Sequence, residues 1–131
     1  MVQSIQYSRR AIERAERAVR CSPFQLCLFQ TMRWQGVDLK AIANAEGSRN
    51  RYTRIILSEA RAEQYLLWLI QVGVLRREVD GQGLTDSFRL TPLGRQLLEN
   101  WEQIGGFPAP ALSDRLINFF SRWLRLPSWL Q

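Results

Sequence analysis

The chain has 131 residues, 46% of them hydrophobic, enough for one domain with a modest core. It carries a net charge of +6 and no histidine, which excludes every Ser–His or Cys–His nucleophile pair. Cys21 and Cys27 have no His to complete a zinc knuckle, and no stretch approaches the ~18 consecutive apolar residues of a membrane span.

The basic residues are seventeen Arg and one Lys, and their distribution is uneven. Residues 1–61 hold eleven basic and five acidic side chains, whereas residues 62–131 hold seven of each. The whole excess therefore lies in the first half. It suits nucleic acid or an acidic partner, and equally a solvated arginine-rich surface. The first residues lack an apolar h-region, so no leader is expected. Two thiols without an export signal point to a reducing, cytoplasmic setting.

Ser8 is placed to cap a helix over Arg9–Arg20, with Ala11, Ile12, Ala15, Ala18 and Val19 on one narrow side. Its outer face carries five arginines, as a phosphate-tracking arm or as the solvated back of a docking helix. Ser22 and Pro23 read as the cap and first residue of a second helix running to about Gln35, with Phe24, Cys27, Leu28, Met32 and Trp34 as its apolar weight. Asp38 reads as the cap of a short helix from Leu39 to Glu46, ended by Gly47. A basic turn follows, Ser48 to Arg54, rich in the donors that bind phosphate oxygens. Ile55 to Leu57 read as an extra helical turn.

Ser58 caps the next helix, Glu59 to Val72, closed by Gly73. Its wheel puts Ala62, Tyr65, Leu66, Leu69, Ile70 and Val72 inward and Arg61, Glu63, Gln64, Leu67, Trp68 and Gln71 outward. Leu75 to Val79 alternates like a half-buried strand, Asp80 to Gly83 is a tight turn, and Ser87 to Leu90 returns with Phe88 and Leu90 on one face. Thr91 and Pro92 open a last core helix, to about Ile104, lined by Leu93, Leu97, Leu98, Trp101 and Ile104. Beyond the stiff Pro108–Pro110 linker, Ser113 caps an amphipathic stretch, Asp114 to Leu126. Leu116, Ile117, Phe119, Phe120, Trp123, Leu124 and Leu126 fill one half of its wheel, and Arg115, Arg122 and Arg125 lie on the other. Such a face packs on the domain, on a second subunit, on another protein or at a membrane interface.

The run from Val74 through the hairpin to Leu90-Thr91-Pro92-Leu93-Gly94-Arg95 resembles the second half of a winged helix-turn-helix of the MarR/PadR type, and the resemblance covers roughly Phe24 to Trp101. It implies a mainly α fold with a two- or three-stranded antiparallel β wing. The expected organisation is an N-terminal basic helix over 1–21, a winged-helix core over 22–105 and a C-terminal amphipathic helix over 106–131 used for packing or dimerisation. It also implies double-stranded DNA as partner and a homodimer joined through the terminal helices.

On this reading the chain is a transcriptional regulator, with no catalytic residues, cofactor or metal. Arg49, Arg51, Tyr52 and Arg54 would contact phosphate, Arg61 and Gln64 would read bases, and Arg76, Arg77 and Arg89 would flank the backbone. The alternative is a winged-helix module that binds protein and not DNA, either a scaffold or an assembly factor. It is motivated by Asp80 and Asp86 in the wing, where minor-groove wings carry Arg or Lys, and by Glu59 and Glu63 on the outward helix. A membrane surface is the least favoured partner, and RNA a third option with no residue selecting for it.

Overall fold

The computed structural model describes residues 7–106. Six helices and three strands follow in the order α1 (Arg9–Arg20), α2 (Leu26–Met32), β1 (Val37–Asp38), α3 (Leu39–Ile42), α4 (Asn44–Arg49), α5 (Glu59–Gln71), β2 (Leu75–Asp80), β3 (Gly83–Leu90) and α6 (Pro92–Gln103). The fold is mainly helical with one small antiparallel sheet, ordered β1-β3-β2. The stretch expected from Asp114 to Leu126 lies outside the described residues.

Three helices start where a side-chain oxygen can cap them. The hydroxyls of Ser8, Ser58 and Thr91 accept from the backbone N–H of Ala11, Arg61 and Gly94, satisfying donors that the first turn leaves open. Thr91 also donates to the carbonyls of Gly73 and Val74, which ties the start of α6 to the turn between α5 and β2. That turn depends on Gly73, whose φ of +90° is the left-handed conformation a side chain disfavours.

The core is one cluster. Ala15, Ala18 and Val19 of α1 pack with Leu66 and Leu69 of α5, Leu97, Leu98 and Trp101 of α6, and Phe88 and Leu90 of β3. Phe29 of α2 meets the Trp101 ring at 6.5 Å between centroids. The small side chains of α1 set its close approach to α5 and α6.

Local structure departs from the sequence reading in several places. Ser22 does not open α2: it is 3% exposed and donates to the Val19 carbonyl, closing α1. Phe24 bridges to Thr53 in extended form, so α2 begins only at Leu26, and Trp34 beyond its end is 76% exposed. The single helix expected from Leu39 to Glu46 is two, because Ala43 is extended (ψ 161°) and the Asn44 N–H goes to the Leu57 carbonyl at 2.6 Å. Gly47 does not end that helix but lies inside α4, where an added Cβ would stand 1.8 Å from the Ile42 carbonyl oxygen. Ile55 to Leu57 are not helical: Leu57 drops into the core while Ile55 and Ile56 stay outside. In the hairpin, β3 starts at Gly83, earlier than expected, and the pairing shifts between Arg77 and Val79. This bulge turns Val79 out to 68% exposure instead of leaving it on the Leu75 face. Ile104, expected inside, is 68% exposed.

Candidate nucleic-acid interface

The basic turn is built by close packing against α2. Gly47 admits the chain to Ile42, Tyr52 N–H donates to the Gly47 carbonyl at 2.8 Å, and the Tyr52 carbonyl accepts from Gln25 N–H at 2.8 Å. The turn passes through Arg51 at φ 63°. Tyr52 is half-buried and packs on the core edge. The Arg54 guanidinium donates to the Ser22 carbonyl, and the Gln25 amide to the Thr53 carbonyl at 2.8 Å, so the turn is pinned to the α1–α2 junction.

The position of this turn relative to α5 follows from two aromatic contacts. Phe24, bridged to Thr53, meets Phe29 on one side and Tyr65 of α5 on the other, edge-on at 6.2 Å. At 100° per residue Tyr65 is only about 40° around α5 from Arg61. The backbone of the basic turn at Thr53 is therefore brought beside the Tyr65 side of α5, which also carries Arg61. Arg51 and Arg61 are exposed and have no ionic partner among the described residues. Arg49 is exposed and pairs with Glu46 at 2.7 Å, a contact worth little in water and readily exchanged for phosphate. Gln64 is exposed on the outermost line of the helix.

The opposite flank of α5, toward the hairpin, carries charges of both signs. Asp38, Lys40, Glu59 and Asp86 surround a hollow of about 240 Å³ beside Leu39. Three carboxylates against one ammonium there would repel phosphate. Further along the same flank, Leu67, Ile70, Arg76, Arg77 and Leu84 line an open groove of about 420 Å³. The outward leucines are largely bare, Leu67 at 42% and Leu84 at 72% exposure.

The three hairpin arginines do not join the basic turn. Arg77 shares the core face of the sheet with its register partner Phe88, stands 5.3 Å from that ring centroid and pairs with Asp86 at 3.5 Å. Arg89 donates to the Trp34 carbonyl at 3.2 Å and approaches Glu78 at 3.7 Å, while Ser87 donates to the other Glu78 oxygen at 2.7 Å. Arg76 is exposed, but at the rim of the apolar groove. Of the nine candidate residues, Arg49, Arg51, Tyr52 and Arg54 belong to the end of α4 and the turn packed beside Tyr65, and Arg61 and Gln64 to the first two turns of α5. Sequence reasoning missed the groove, because Leu84 sits in a hairpin whose register only the fold reveals.

The Npun_F0494-like family model matches residues 5–122. The chain belongs to the Npun_F0494-like family. The match includes every described element and extends over most of the stretch beyond α6. No curated protein and no solved structure matches the chain. Among the described residues no helix is long and apolar enough to cross a membrane, and no group of three His, Cys, Asp or Glu could hold a metal ion.

Proposed function

We propose that this chain is a winged-helix DNA-binding protein, used as a transcriptional regulator, of the MarR/PadR type. The order α2, β1, α3–α4, α5, β2, β3 with strands arranged β1-β3-β2 supports the winged-helix reading, with α5 as recognition helix. The observation that carries DNA binding is the packing of the basic turn, through Phe24 and Thr53, beside the Tyr65 side of α5, which also carries Arg61, next to the exposed Gln64. Recognition helices touch bases through their N-terminal residues, and Arg61 and Gln64 occupy the first two turns of α5. Arg61 suits guanine and Gln64 adenine, while Arg49, Arg51 and Arg54 supply phosphate contacts. The hairpin stays off the duplex, because Arg77 and Arg89 are engaged within the sheet, Arg76 lies at the rim of the apolar groove, and the tip is acidic.

Gel shifts on random duplex DNA test the reading directly. Binding is expected at low salt and is expected to weaken steeply as salt rises. No shift at low salt would remove DNA as the partner.

A second reading, a winged-helix module that docks protein, is favoured by one specific observation: the groove at Leu67, Ile70 and Leu84. Pull-downs with and without nuclease separate the two, since partners held through DNA disappear after digestion.

A further inference from the structure

Two hollows open along the hairpin side of α5, and they differ in charge. The Arg77–Asp86 ion pair separates them, since Arg77 lines one and Asp86 the other. On one side of that pair, Leu67, Ile70 and Leu84 floor the open groove, and Arg76 stands exposed at its rim with no ionic partner among the described residues. On the other side, with Asp86 already held by Arg77, the carboxylates of Asp38 and Glu59 outnumber the Lys40 ammonium.

Both hollows belong to one face. At 100° per residue, Glu59 and Ile70 fall within about 20° of each other around α5 and about 16 Å apart along it. Leu84 and Asp86 are alternate residues of β3 and share a side of the strand. Val79, the register partner of Leu84, is also exposed and carries the apolar patch across the hairpin. The face therefore runs from an acidic end through open apolar side chains to a cationic end.

That arrangement is complementary to itself. A twofold rotation about an axis through the apolar middle lays this patch on the same patch of a second copy and exchanges the ends. Arg76 of each copy then meets Asp38 and Glu59 of the other, and the leucines close over one another. A foreign partner would need the opposite charge at both ends, whereas a second copy already carries the match.

We propose that two copies of this chain pair through this face, with their α5 helices antiparallel across the twofold axis. The contact lies on the hairpin flank, not on the terminal helices that the MarR/PadR resemblance implies. It is independent of DNA binding, and either can fail without the other. Arg61 lies about 160° around α5 from Glu59, so the side proposed to touch DNA stays open in the pair.

Charge exchange between copies tests it. By sedimentation velocity the full chain is expected to show a monomer–dimer equilibrium in the micromolar range. Arg76→Glu and Glu59→Arg each place like charges opposite one another twice per dimer, so each variant alone is expected to pair at least about tenfold more weakly. Mixed in equal amounts, the two are expected to recover that loss as a heterodimer, because every end again meets its opposite. Recovery also requires both variants to be folded. Leu84→Asp, in the apolar middle, is expected to weaken pairing as much and to keep its melting temperature, since the position is exposed. A chain that stays monomeric up to about 100 μM, variants that pair as well as the unmodified chain, or a mixture no better than its components would overturn the proposal.

Discussion

Two arginines of the same sequence type end in opposite roles. Arg61 stands on the exposed first turn of α5, whereas Arg77 lies over Phe88 and pairs with Asp86. Arg61→Ala is therefore expected to weaken DNA binding by about 1–3 kcal/mol and leave the melting temperature unchanged. Arg77→Ala is expected to do the reverse, costing about 1 kcal/mol of stability through the lost ring contact. Parallel binding titrations and thermal melts read both effects. Glu102 gives a pH signature. Its carboxylate accepts from the Gln30 amide at 3.0 Å and from the Arg33 guanidinium, and these hydrogen bonds hold its pKa below the ordinary carboxylate value. A pKa lowered by folding contributes stability that is present above the unfolded pKa and lost as pH falls through the folded one. Urea melts are expected to show the unmodified chain more stable than Glu102→Gln at neutral pH, with the difference shrinking as pH falls below the ordinary carboxylate pKa and gone once it has passed the lowered one. A difference that persists in acid would locate the effect in packing. Neither contact was legible in sequence: the Arg77–Phe88 pairing depends on the hairpin register, and Gln30 and Glu102 lie on elements far apart in the chain.

At the scale of elements, the helices with strong local signals appear where the sequence puts them. Ser8, Ser58 and Thr91 each cap as expected, and α1, α5 and α6 follow at the expected lengths to within a residue or two. The short elements do not. Between Ser22 and Leu57 the chain is governed by contacts with other segments: Phe24 with Thr53, Asn44 with Leu57, and Gly47 against Ile42. Seven or fewer residues carry too little intrinsic helix preference to resist such pulls. Helix α1 is the converse case, an expected element whose partners only the fold identifies. Ala15 is 0% exposed where α1 joins the core shared with α5 and α6. Ala15→Leu is expected to force α1 outward and cost about 1–3 kcal/mol, measured as a lowered midpoint in denaturant. An unchanged midpoint would mean that α1 is not held against the core.

Across the whole molecule, α5 divides two surfaces of different character. One side carries Arg61 and Tyr65 beside the basic turn, and the hairpin side carries Glu59, Asp86, Arg76, Arg77 and the open leucines. If the four cations Arg49, Arg51, Arg54 and Arg61 each neutralise a phosphate, log K is expected to fall against log salt with a slope of roughly −3 to −4. Arg76→Ala, on the far flank, is expected to leave that slope unchanged, whereas Arg51→Ala is expected to lower its magnitude by about 1. A slope that responds to Arg76 would put the hairpin on the duplex after all.

The sequence by itself determined the mainly helical class, the hairpin, the three long helices and the concentration of positive charge before residue 62. Those depend on caps, on periodicity and on composition, which are local properties of the chain. Only the tertiary structure decided which arginines remain available, because a guanidinium is spent on whatever acceptor packing brings to it. The same holds for the groove, which exists only where Leu67 of a helix and Leu84 of a strand come to line the same surface.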